Sequence, residues 1–121
     1  MKLEKQIHEG VVVAIATGNE PVIQDVQSAL DLLATARYES ECDRLVLEKQ
    51  LLPEAFFDLR TGLAGEILQK CVNYQMKVAV VGDFSGYESK ALRDFIRESN
   101  RGKHVFFLPT LDEAIVQLRE L

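Results

Sequence analysis

The hydrophobic pattern of this chain centres on one stretch, Lys77-Val78-Ala79-Val80-Val81-Gly82-Asp83-Phe84, where four apolar residues run together and stop at Gly-Asp. An unbroken apolar run of this length reads as a strand buried on both faces, as in parallel sheets covered by helices. Leu45-Val46-Leu47 and His104-Val105-Phe106-Phe107-Leu108 repeat the signature on either side of it. Nearer the N-terminus the period changes. Met1, Leu3, Lys5 and Ile7 alternate weakly with charged residues, the rhythm of a half-exposed strand. Glu9-Gly10 supplies turn chemistry, and Val11 to Ala16 follows as a second strand. The short gap predicts a hairpin whose first strand is an antiparallel edge, with its charges limiting edge-to-edge association.

Helical periods fill the spaces between these strands. After Thr17-Gly18, Asn19 reads as an N-cap and Pro21 as a first-turn residue, opening a helix to about Tyr38 with Val22, Val26, Ala29, Leu30, Leu33 and Ala36 on one face. From Glu54 the apolar positions Phe56, Leu59, Leu63, Ala64, Ile67, Leu68, Cys71 and Val72 form the longest amphipathic stretch, ending near Asn73-Tyr74. Gly62 and Gly65 inside it cost about 1 kcal/mol each relative to alanine. They point either to close packing or to a helix that begins only near Thr61. Ser85-Gly86-Tyr87-Glu88 has the form of a capping box, opening a helix with Leu92, Phe95 and Ile96 inward and an ending at Asn100 and Gly102. Thr110-Leu111-Asp112-Glu113 is a second capping box, and Leu111, Ala114, Ile115, Leu118 and Leu121 make the inner face of the last helix. The order is strand, strand, helix, then strand and helix in alternation. It predicts an α/β fold over residues 1–121 as a single domain: an N-terminal β-hairpin, then alternating helices and mostly parallel strands joined by right-handed crossovers, about five strands and four helices in all.

Composition narrows the class. With 121 residues the chain suits one domain with a real core, and 47% apolar and 27% charged residues are ordinary for a soluble globular protein. The net charge of -5 argues against a nucleic-acid binder and against a polybasic membrane-surface module. Cys42 and Cys71 match no metal or redox spacing and read as buried free thiols in a reducing cytoplasm. The N-terminus lacks the apolar core of a signal peptide, and no run approaches the length that spans a bilayer. His8 and His104 have no cysteine or carboxylate at ligand spacing, so neither a metal nor a cofactor is expected.

Ligands of parallel α/β sheets usually meet the ends where strands run into helices. Here those ends hold Thr17-Gly18-Asn19, Glu48-Lys49, Gly82-Asp83 with Ser85, and Pro109-Thr110. They read either as a polar rim for a small molecule or peptide, with Asp83 and Ser85 as contacts, or as ordinary caps and turns. Gly82 to Gly86 has neither the dinucleotide glycine spacing nor the phosphate-loop Lys-Ser/Thr. Lys90, Arg93, Arg97 and Arg101 line one side of the third helix, either as a docking strip for an acidic partner or phosphate, or as a solvated face balanced by Asp94 and Glu98. Phe56-Phe57-Asp58-Leu59-Arg60-Thr61-Gly62-Leu63 is the most informative segment. Adjacent aromatics cannot both face one core, so one of Phe56 and Phe57 is either exposed for a partner or packed under a second element. Asp58 and Thr61 would sit at the positive end of a helix opened by Thr61.

This segment, after Leu45-Val46-Leu47-Glu48, resembles the STAS family, the sulfate-transporter and anti-sigma-factor-antagonist domain. That family opens with a hairpin and continues as alternating helices and strands. Its signature is an apolar strand ending in an acidic residue, then an Asp-Ser-Ser-Gly-Leu type motif that begins a helix. Thr61-Gly62-Leu63 is similar to the Ser-Gly-Leu, and the resemblance places Thr61 on the serine that is phosphorylated in anti-sigma antagonists. Thr110 to Ala114 is similar to the family's final helix start. Leu52-Pro53-Glu54-Ala55 stands as an insertion, Arg60 replaces the first serine, and Asp58 is displaced from the usual acidic position. The wording from Phe56 to Leu68, through Val81-Gly82-Asp83-Phe84 to Phe95-Ile96-Arg97-Glu98-Ser99-Asn100, is closer still to a bacterial domain-of-unknown-function family of about this length.

The resemblance implies a bacterial, cytoplasmic, non-catalytic regulatory or protein-interaction module, with a protein partner or a homodimer. Its surface would be Phe57, Asp58, Arg60 and Thr61 together with Arg93 and Arg97 of the third helix. The alternative is a small-ligand-binding domain using the strand ends near Asp83 and Ser85. No acid-base or nucleophile pair can be named from spacing, so no enzyme is expected.

Overall fold

The computed structural model describes residues 1–121. Strands β1 (Lys2–His8) and β2 (Val11–Thr17) form the predicted hairpin, antiparallel, with His8 paired to Val11 across a turn in which Glu9 and Gly10 both have positive φ, 51° and 82°. This is a type I′ geometry, whose twist matches that of the strands it joins. Strands β3 (Arg44–Glu48), β4 (Lys77–Val81) and β5 (Val105–Leu108) continue the sheet in parallel, in the order β1-β2-β3-β4-β5. The α/β class, the leading hairpin and the mostly parallel sheet are as the apolar runs and the STAS resemblance imply. The buried run of residues 78 to 80 lies between parallel neighbours.

The sequential order has a consequence for the layers. Right-handed crossovers that all step in one direction set their helices on one face. Helices α1 (Val26–Glu39), α2 (Glu54–Phe57), α3 (Leu63–Asn73) and α4 (Lys90–Asn100) accordingly share one core, with Ala14, Ala16, Leu45, Leu47, Val78, Val80, Val105 and Phe107 of the sheet. The last helix, α5 (Leu111–Arg119), alone covers the other face, where Ala114, Ile115 and Leu118 meet Val13, Ile15, Val46, Ala79 and Phe106. The alternation of strand side chains between two faces divides the core in this way.

Several boundaries differ from the sequence expectation. The first helix is capped by Asp25, not Asn19. The Asp25 carboxylate accepts the Ser28 amide at 2.8 Å, and the Ser28 hydroxyl accepts the Asp25 amide at 3.1 Å. Residues 18–24 are a connection tied down by Val22 and Ile23, whose amides both donate to the Leu51 carbonyl. The long amphipathic stretch from Glu54 is two helices with a 3-10 turn, Leu59–Thr61, between them. Gly62, at φ 77°, occupies the left-handed conformation that breaks the run and caps α3. Ser85 does not open α4; Ser89 does, accepting the Leu92 amide at 3.2 Å. Leu111 and Leu121 are both 40% exposed, so the inner face of α5 is the shorter set Ala114, Ile115 and Leu118. Cys42 and Cys71 are buried and free, as read from their apolar surroundings. No helix is long and apolar enough to cross a membrane.

Candidate functional site

The C-terminal ends of the parallel strands converge on Lys49. The Gly18 amide donates to the Glu48 carboxylate at 3.0 Å, tying the end of β2 to the end of β3. The next residue, Lys49, runs across the end of β4 beside Gly82. A Cβ on Gly82 would lie 2.6 Å from the Cβ of Lys49, so the crossing needs glycine there. The Lys49 ammonium donates to the Asp83 carbonyl at 2.8 Å. It also lies 4.6 Å from the ring centroid of Tyr87 and 5.6 Å from those of Phe57 and Phe84. Aromatic faces carry negative charge density, so these rings attract the cation electrostatically. Phe57 stacks on Tyr87 at 5.1 Å, and Phe84 meets Phe107 edge-on at 5.5 Å, which fixes the rings from behind.

This arrangement corrects the expectation of an exposed aromatic at Phe57. Phe56 is 2% and Phe57 6% exposed. They escape the conflict of neighbouring side chains by serving different partners: Phe56 packs towards Phe107, whereas Phe57 packs on Tyr87 and Phe84. The polar residues that follow stay at the surface. The Asp58 carboxylate caps the 3-10 turn by accepting the Arg60 amide at 3.1 Å, and it holds the Arg60 guanidinium with two bonds of 2.9 Å. That side-chain bond to Arg60, then the backbone one, holds the Asp58 carboxyl below the usual carboxylate range. The Thr61 hydroxyl has donor contacts with the carbonyls of Ala55 at 2.7 Å and Asp58 at 2.9 Å, and accepts the Leu63 amide at 3.2 Å. Thr61 is thus an exposed residue whose oxygen braces the turn between α2 and α3. A cavity of about 480 Å³ opens here, lined by Glu54, Ala55, Phe57, Asp58, Thr61 and Tyr87. A second, of about 360 Å³, lies beyond Phe57 and is lined by Asn19, Pro21, Lys49, Gln50, Leu52 and Glu54 as well.

The other sequence candidates lie apart from these cavities. Asp83 accepts the Ser85 hydroxyl at 2.6 Å and the Ser85 amide at 2.9 Å, an Asx turn that links the two to each other. The Ser85 side chain, then its amide, lowers the Asp83 carboxyl, with the Lys49 charge a smaller cause. Neither residue lines the two cavities beside Phe57. On α4, Asp94 accepts from Lys90 at 2.7 Å and from Arg97 at 2.5 Å, so part of the basic strip is neutralised along its own helix. Arg93 is exposed on that helix, and Arg101 lies just past its end. His8 pairs with Gln6 at 2.8 Å on the edge strand. His104 lies near the entrance of β5, with its Nδ1 buried and unpaired. No group of three or more His, Cys, Asp or Glu residues gathers as a metal site.

Sequence reasoning missed Phe84 and Tyr87 as site residues, and it placed Lys49 only on the polar rim without its aromatic partners. The rim position of Glu48-Lys49 was legible from the end of its strand. The signal that could have joined Lys49 to Phe84 is positional: each lies just beyond the end of one of two buried strands that pair as neighbours.

A family model described as a domain of unknown function (DUF4180) matches residues 8–118. No curated relative matches the chain. Among solved structures it is similar to a Thermotoga maritima protein described as a candidate anti-sigma factor antagonist, at 15% identity and a TM-score of 0.48, over 97% of this chain and 94% of that one.

Proposed function

The chain belongs to the DUF4180 family of domains of unknown function, and from that premise we propose that it is a bacterial, cytoplasmic, non-catalytic regulatory module that binds a protein partner. Its docking surface is the segment from Glu54 to Thr61 together with Tyr87. One observation carries this reading: a solvent-facing cavity framed by exposed polar groups on a segment locked from beneath by Phe57 and the Lys49 ammonium. Interfaces surround aromatic contact residues with a polar rim, and the half-buried Tyr87 is the ring this surface offers a partner. Two carboxylates of this region are engaged locally: Asp58 pairs with Arg60, and Asp83 accepts from Ser85.

The test uses the exposed rim, because Phe57 is too buried for a charge to be placed there without unfolding. Binding partners are captured with the wild-type chain, and their affinities are then measured against Ala55→Arg and Arg60→Glu. Loss of about tenfold in affinity with an unchanged melting temperature supports the assignment. A partner that binds both variants as tightly as the wild type refutes it.

A further inference from the structure

The two edges of the sheet are finished differently. At β5, Asn100 reaches back from the end of α4. Its side-chain amide donates to the Phe107 carbonyl at 3.1 Å, and its carbonyl accepts the Phe107 amide at 2.6 Å. The side chain thus takes the place of a neighbouring strand and seals that edge. At β1 the hairpin geometry decides which backbone groups are free. His8 and Val11 flank a two-residue turn and form the closing hydrogen-bonded pair. The alternation then turns the amides and carbonyls of Lys2, Glu4, Gln6 and His8 towards β2, and those of Leu3, Lys5 and Ile7 towards the open edge. On the helix-rich face of β1, Lys5 is exposed and Ile7 is 65% exposed.

We propose that β1 is the pairing edge for a second copy of this chain, the two strands antiparallel about a two-fold axis at Lys5, so that one sheet continues through both copies. In this register Leu3 stands opposite Ile7 of the second copy, which covers the exposed isoleucine on both sides of the axis. The outward amides and carbonyls of Leu3, Lys5 and Ile7 all find partners. On the other face Glu4 stands opposite Gln6, carboxylate to amide, and Lys2 opposite His8. Moving the axis to Glu4 sets that carboxylate against its own copy, and moving it to Gln6 leaves Leu3 without a partner strand. The one unfavourable pairing is Lys5 with Lys5 at the axis, where the long stems carry both ammonium groups apart into water. The charges on this edge therefore select a register for self-pairing as well as discouraging other strands. This surface does not include the Glu54 to Thr61 segment, so it stands independently of the function proposed above.

The test is sedimentation velocity of the full chain over a concentration series, with the fold of each variant checked by circular dichroism. A wild-type dimer is expected. Lys5→Thr removes the like-charge pair and should tighten it about threefold, whereas Ile7→Lys should weaken it about tenfold. Lys5→Pro deletes an amide that faces away from β2, so the hairpin survives and the dimer is lost. Two results would overturn the proposal: wild type and Lys5→Thr both monomeric throughout, or a dimer that persists in folded Lys5→Pro. Should Lys5→Pro not fold, Ile7→Lys decides: an unweakened dimer rejects this edge.

Discussion

Replacing Lys49 by methionine tests whether the ammonium among the aromatic rings holds the candidate site together. Methionine keeps most of the stem that crosses Gly82, so the change removes the charge and its hydrogen bond with little change in packing. A hydrogen bond from a charged donor contributes at least ~1.5 kcal/mol when buried, and solvent at this half-exposed position reduces it to ~1 kcal/mol. The attraction of the rings contributes another ~0.5–1 kcal/mol, led by Tyr87, whose centroid at 4.6 Å is nearest. The loss should therefore be about 2 kcal/mol, which for a domain of this size is a fall in melting temperature of about 8 °C. Urea unfolding followed by far-UV circular dichroism should show a lower midpoint with an unchanged slope. A double-mutant cycle with Tyr87→Leu isolates the cation–ring part and should give a coupling of about 0.5–1 kcal/mol. Two variants whose effects simply add would show that Lys49 lies beside the rings without interacting with them, and the account of the site would fail.

Gly82→Ala should reproduce much of that loss, about 1–3 kcal/mol by urea unfolding, because its methyl meets the Lys49 stem. Asn100→Ala removes both bonds to Phe107 and should cost about 1–2 kcal/mol, while light scattering should register more self-association as β5 becomes an open edge. Burial pushes the Cys71 thiol up to about 12. A disulfide thiol reagent at pH about 8 should thus leave Cys71 unreacted in the native chain and titrate it in urea. Asp25 accepts from the Ser28 amide and hydroxyl, which holds its folded pKa below the unfolded value. Its contribution is present above about pH 4 and is lost as pH falls through that depressed value, so the urea midpoint of Asp25→Asn should fall less steeply with acid than that of the wild type.

The site was only partly legible beforehand. Glu48-Lys49 and the segment from Phe57 to Thr61 were visible as a strand end and as an unusual aromatic-polar run. Their meeting was not, because Phe57 and Tyr87 are thirty residues apart and only the parallel pairing of β3 with β4 brings their chain ends together. Asn19 and Ser85 misled for a related reason. Each has the chemistry of a cap, but residues 18–24 are held by Leu51 and Ser85 by Asp83, so the helices start later, at Asp25 and Ser89. Phe57 shows the limit of reading exposure from neighbouring side chains, since a second aromatic partner was available from a distant loop.

What the sequence by itself determined is the identity of the strands, the hairpin and the alternation of strand and helix that makes this an α/β domain. Unbroken apolar runs and period-two alternation depend on burial along one segment at a time. Tertiary structure alone decided that α5 covers one face of the sheet by itself, that Asn100 closes one edge while β1 stays open, and that a lysine sits among rings drawn from distant loops. Each of these depends on which strand lies beside which, and that order comes from packing between segments that no local period encodes.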